Sequence, residues 1–176
     1  VIDIPRIDAV TANDGVLDEP AWTDAARLTG FSHFQPIEGV PAADSTEVLV
    51  WYSAKAIHFG IRAREPHGEV HAVLADRDRI FSDDVVQILL GTDNDSRQAF
   101  VFAVNPLGVQ GDGVMVERGN LNGGGFMGGS AQAREGVDLS PDYVFSSKGR
   151  LVDGGYEVEM EIPFKSLRYQ AKDVQT

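Results

Sequence analysis

Cysteine is missing from all 176 residues, which excludes disulfide frameworks, thiolate metal sites and cysteine nucleophiles. A domain of this size needs no disulfide staples, so the absence leaves the compartment open. Basic residues are scarce: 15 Lys and Arg stand against 27 Asp and Glu, for a formal net charge of -12. So acidic a chain repels nucleic acid and anionic membrane surfaces, and neither is expected as a partner. No apolar run approaches the length of a membrane span. Sustained helical periodicity is lacking too, as are the Gly-Lys-Ser/Thr of a phosphate loop and the Gly-x-Ser-x-Gly of a serine hydrolase. Tryptophan occurs only twice, at Trp22 and Trp51.

What the chain does have is short apolar runs separated by turn residues. The stretch Asp83–Gly113 holds Val85–Leu90, Ala99–Val104 and a third run after Asn105-Pro106-Leu107-Gly108, which reads as a meander of strands. The second run is apolar on both faces, as in a strand inside a sheet covered on both sides. Thr46–Ser53 sets Val48, Val50 and Tyr52 on one face and Leu49 and Trp51 on the other. Ile57–Glu65 sets Phe59, Ile61 and Ala63 against His58, Gly60, Arg62 and Arg64, and the short link between these runs predicts a hairpin. In Tyr156–Ile162 the apolar residues point inward, and Glu157, Glu159 and Glu161 point outward with nothing to raise one pKa above another. Val1–Val10 alternates weakly and reads as a strand, Val70–Leu74 is a weaker strand candidate, and Tyr143–Ser147 is a short strand. Asp18-Glu19-Pro20-Ala21-Trp22 is a helix start with proline in the first turn, and Trp22 is expected to plug one end of the core. The pattern predicts an all-β fold: an antiparallel, jelly-roll-like β-sandwich with one short N-terminal helix, a single domain over residues 1–176.

Several phrases, in order along the chain, resemble domains of carbohydrate-binding module family 9. They are Asp14-Gly15-Val16-Leu17-Asp18-Glu19-Pro20-Ala21-Trp22, Thr46-Glu47-Val48 with its hairpin, Arg77-Asp78 with Asp83-Asp84, Asn105-Pro106-Leu107-Gly108-Val109-Gln110, and Ile162-Pro163-Phe164-Lys165-Ser166-Leu167-Arg168-Tyr169. The resemblance implies a β-sandwich that binds carbohydrate without catalysis, at the periplasm or cell surface of a bacterium. It further implies that the domain precedes an outer-membrane β-barrel in the same protein. In the family the segment after Gln175-Thr176 continues into a closing strand, so the chain reads as a fragment of something longer.

Sugar binding by a sandwich needs aromatic faces for the ring and placed polar groups for its hydroxyls. Family 9 modules clamp the ring between two tryptophans. Trp22 belongs to the opening motif and reads as core, which leaves Trp51 as the stacking candidate. Arg62 and Arg64 flank it on the neighbouring strand, and Arg77 and Asp78 are further sugar-binding candidates. The plainer readings are Trp51 as packing, the two strand arginines as solvated, and Arg77 with Asp78 as an ion pair. Seven aspartates fall between Asp76 and Asp112, and Asp93, Asn94 and Asp95 offer the oxygens of a structural calcium site, against a plain polar turn. The alternatives are a structural or protein-docking sandwich that has lost sugar binding, and a haem-binding one that uses Met115, Met127 or Met160 with His58 or His71.

Overall fold

The alternating runs are strands, and they build two antiparallel sheets. A computed structural model describes residues 2–33, 38–42, 45–65, 68–92, 98–116 and 137–167. The first sheet orders its strands β1 (Ala26–Leu28), β2 (Thr46–Tyr52), β3 (Ala56–Arg64), β9 (Gly155–Pro163) and β8 (Ser146–Val152). The second runs β4 (Val86–Leu90), β5 (Gln98–Val104), β6 (Gln110–Val116) and β7 (Val137–Asp138). Period-two alternation turns Val48, Val50, Phe59, Ile61, Val158, Met160 and Ile162 of the first sheet onto Phe100, Phe102 and Val104 of β5. The predicted sandwich, the β2–β3 hairpin and the β4–β5–β6 meander are all present. Val101, Phe102, Ala103 and Val104 are wholly buried, so β5 is covered on both faces, as its composition predicts.

Three strand expectations change. The described residues 2–10 form no strand; they contribute one bridge, Arg6 with Tyr52, fixed by Ile7 N–H to Tyr52 O at 2.9 Å. The reason is that β1 already occupies the edge of β2 from Val48 to Val50. Val70–Leu74 is no strand either, because side chains take its backbone groups. His71 N–H donates to Asp84 (2.7 Å), Val73 N–H donates to Asp83 (3.1 Å), and Val73 O accepts from Asn105 Nδ2 (2.9 Å). The strand expected at Tyr143–Ser147 begins only at Ser146 and follows β9 to Val152.

Both sheets are covered on their outer faces by segments that are not strands. Leu17 and helix α1 (Pro20–Asp24), with Ala21 and Trp22, pack onto Leu49 and Trp51 of the first sheet. Trp22 therefore sits outside the inter-sheet core, not at its end. Gly60 provides the seat: a Cβ there would lie 2.8 Å from Leu17 Cδ2 and 3.0 Å from Trp22 Cζ3. Glu19 occupies the N-cap position, but its carboxylate accepts from Trp22 Nε1 (2.9 Å) and Ala12 N–H (3.0 Å) instead of capping. On the second sheet Ile80 and Phe81 pack on Ala103. Asn105 explains its place in the Asn-Pro-Leu-Gly motif. Its buried Oδ1 accepts from Leu107 and Val109 N–H, and its Nδ2 donates to Val73 O and Asp83.

Candidate functional site

A row of alternating charges crosses the outer face of the first sheet. Register sets Glu47 opposite Arg62, Arg62 opposite Glu157, and Glu157 opposite Arg150, while Arg27 of β1 reaches in diagonally. The links are short: Arg27–Glu47 2.6 Å, Arg62–Glu47 2.9 Å, Arg62–Glu157 3.1 Å and Arg150–Glu157 2.5 Å. Burial lowers the Arg62 pKa, but Glu47 and Glu157 outweigh it and hold the guanidinium above its ordinary value. Arg62 Nη2 also donates to Leu17 O at 3.0 Å, which ties the row to the N-terminal cover.

Beside this row lies a cleft of about 590 Å³, walled by the ends of β2 and β3 and by the loop that follows β1. Gly30, at φ +75°, turns the chain out of β1 into that loop. The loop is closed by a Ser32–Pro41 bridge, by His33 N–H to Val40 O (2.7 Å) and by Ala42 N–H to Phe31 O (3.0 Å). Arg62 and Arg64 line the cleft together with Phe31 and the hydroxyl-bearing residues Thr29, Ser32, Ser45 and Thr46. Phe31 is 42% exposed, which leaves part of its ring open to the cleft it lines. Glu47 is the single carboxylate among the described lining residues, and two guanidiniums already hold it. Among the described lining residues the cleft combines an apolar ring, hydroxyl-bearing residues and cations, the mix of apolar surface and placed polar groups found in small-ligand sites.

The sequence candidates separate. Arg62 and Arg64 meet in the cleft. Trp51 does not join them: it is 0% exposed, stacked on His58 (3.7 Å between centroids, 2° between planes) and edge-on to Trp22 at 6.0 Å. Its expected accessible face is closed by the N-terminal cover. Burial lowers the His58 pKa to about 4, so a neutral imidazole lies on the indole. Arg77 and Asp78 belong to the other sheet. Arg77 donates to Asp112 (2.7 Å), Gln110 Oε1 (2.7 Å) and Tyr143 O (2.7 Å), and Asp78 accepts from Asp112 N–H (2.9 Å). Arg77 thus pairs with Asp112, and more distantly with Asp142 at 3.7 Å, not with its sequence neighbour.

Asp93, Asn94, Asp95 and Met127 lie outside the described residues. Among the described residues, carboxylates of Asp78, Asp112 and Asp142 come within 4.8 Å of one another. They do not fit calcium as they stand, because Asp112 gives its oxygens to Arg77 and to Tyr143 N–H, and the guanidinium fills the cation's place. His58 and Met160 point from opposite faces of the first sheet, so they cannot share one haem axis.

Two functional features escape a reading of the sequence. Phe31 sits in a Gly- and Pro-rich stretch that signals only a loop; its one hint is an aromatic among polar turn residues. Glu159 shares an alternating pattern with Glu157 and Glu161 yet is 2% exposed, under the Asn13–Gly15 turn, where it accepts Gly15 N–H at 2.9 Å. Burial pushes its pKa up to about 7; the Gly15 N–H opposes that, and the charges of Glu19 and Asp14 add to it.

Compared by sequence, neither a family model nor a curated protein matches the chain. Solved structures match its fold. A family 9 carbohydrate-binding module from Caldicellulosiruptor kristjanssonii, in complex with glucose, has a TM-score of 0.51 and 16% identity, over 90% of this chain and 68% of that one. A module of that family from the same organism, in complex with cellotriose, gives 0.50 and 15%, over 90% and 67%. A candidate carbohydrate-binding protein from Bacteroides uniformis ATCC 8492 gives 0.56 and 13%, over 93% and 72%. The chain has the β-sandwich fold of family 9 carbohydrate-binding modules.

Proposed function

We propose that this domain binds carbohydrate, without catalysis, in the cleft between β2, β3 and the Phe31 loop. One observation carries the reading: an exposed phenylalanine, four hydroxyl-bearing residues and two arginines line a single space of about 590 Å³. That volume falls within the roughly 300–1,000 Å³ of small-ligand sites. Phe31 offers an apolar face to a sugar ring, and the hydroxyls and guanidiniums supply hydrogen bonds to its oxygens. Likeness of fold to modules in complex with glucose and cellotriose supports the ligand class. Calorimetric titration with cello-, xylo- and malto-oligosaccharides tests it. Heat with at least one of them, lost in Phe31→Ala, is expected; silence from all overturns the reading. Calorimetry is preferable to tryptophan fluorescence here, because Trp22 and Trp51 are both buried away from the cleft.

The proposal extends to a structural calcium ion at Asp93–Asp95 and to a bacterial envelope address ahead of an outer-membrane β-barrel, both supported by the family resemblance. A melting temperature that rises with calcium and falls with chelator supports the ion, and an unchanged melt removes it. Fractionation of cells that make the parent protein tests the address, and recovery in the cytoplasm overturns it. The burial of both tryptophans favours a second reading, a structural or docking sandwich without a tryptophan clamp, and the same titration decides between the two.

A further inference from the structure

The two arginines of the cleft stand in opposite electrical settings, although they are one pleat apart on β3. Register puts Arg62 between Glu47 and Glu157. The next row puts Arg64 between Ser45, whose carbonyl accepts Arg64 N–H at 3.0 Å, and Gly155. Neither neighbour brings a carboxylate. Gly155 is not free to become one, since a Cβ there would lie 2.0 Å from Ala63 O. The adjoining row has nothing to lend: its two glutamates, Glu47 and Glu157, already serve three guanidiniums, Arg27, Arg62 and Arg150. Among the described residues Arg64 forms no ion pair, and it is exposed at the cleft wall.

A local excess of guanidinium on a chain of net charge -12 is a specific arrangement, not a consequence of general basicity. The acidic remainder repels anions that approach elsewhere, so an anion gains only where it meets this cleft. A guanidinium presents a planar fork of N–H donors that matches a carboxylate with two parallel hydrogen bonds. Beside it, Phe31 and the hydroxyl-bearing Thr29, Ser32 and Ser45 line the same space and suit the ring that would carry such a group.

We propose that the cleft selects saccharides bearing a carboxylate, that is, uronic acid units, and that Arg64 is the residue that reads their charge. This rests on the carbohydrate reading above. The test is calorimetric titration of the domain with trigalacturonate and with its methyl ester, the same sugar with its charge removed. The acid is expected to bind at least ten-fold more tightly than the ester, and Arg64→Gln should bring that ratio close to one. Equal affinity for acid and ester overturns the proposal, as does a ratio that survives Arg64→Gln. Should Arg64→Gln melt early, Arg64→Lys, which keeps the charge and loses the fork, gives the same readout and should also lower the ratio. Binding of neutral oligosaccharides without trigalacturonate overturns the acidic preference alone. Failure of every sugar removes the carbohydrate reading itself.

Discussion

Each sheet of the sandwich has its outer face covered by a segment that is not a strand, and the two covers are fastened by opposite means. Residues 5–25 lie on the first sheet chiefly by apolar contact, with Trp22 and Leu17 seated over Gly60 against Leu49 and Trp51. One buried carboxylate, Glu159, takes a backbone N–H from that cover. Residues 71–85 lie on the second sheet with Ile80 and Phe81 packed on Ala103, and a network of side-chain hydrogen bonds centred on Asn105, Asp83, Arg77 and Asp112 fastens the rest. The apolar cover depends on volume and tolerates a change of shape, whereas the polar one depends on every partner being present. The difference also bears on function: the polar cover absorbs Arg77 and Asp78, and the apolar cover absorbs Trp51. The end of β3 carries Arg62 and Arg64 to the cleft beside the Phe31 loop, where Arg62 also reaches back to Leu17 of the first cover.

The largest break in this comparison is expected from Trp22→Ala. It removes the centre of the apolar cover and leaves a cavity over Gly60, at a cost of about 4 kcal/mol in urea denaturation. Trp22→Phe should recover most of that loss, since the site requires bulk. Asn105→Ala comes next, at about 3 kcal/mol, because it strands the N–H groups of Leu107 and Val109 and the carbonyl of Val73. Here the near-isosteric Asn105→Asp should recover little, since it turns the donor facing Asp83 into a second carboxylate. Equal recovery by the two conservative variants would erase the distinction between the covers.

A third test is pH. Glu159 has a folded pKa of about 7, raised from an ordinary value of 4.5, so its protonated form is the one the fold favours. The stability it contributes is fully present below about pH 4.5 and is lost as pH rises through about 7, for a decline of roughly 2–3 kcal/mol. Urea midpoints measured across that range should fall in the native chain and stay flatter in Glu159→Gln. A decline of the same size in Glu159→Gln would move its origin elsewhere.

Alternation showed which residues face the sandwich interior, and it did so correctly for β2, β3, β5 and β9. It could not show what lies on the other face, because the covers have no periodicity to announce them. Glu157 and Glu159 look alike in sequence, yet one pairs with two arginines and the other is sealed beneath a turn. Trp51 likewise alternates outward, and outward here means under the N-terminal segment. Arg62 and Arg64 were legible as a pair because they share a strand face. Phe31 was not, since its position depends on how a loop folds back across the ends of β2 and β3.

The smallest effect tests whether the charged row also fastens the apolar cover. Arg150 ends that row with a side chain 46% exposed, and its partner Glu157 keeps Arg62 when Arg150 is lost. An exposed terminal pair of this kind contributes little, so Arg150→Ala should change stability by no more than about 0.5 kcal/mol. The change should shrink further in high salt, which screens exposed charges. The row does touch the cover at one point, where Arg62 donates to Leu17 O. If the alternating charges act as a unit through that point, removing an end would loosen the cover and cost well over 1 kcal/mol, with a loss that resists salt. The first cover would then be a polar fastening like the second, and the cleft arginines would be part of what holds the N-terminal segment down.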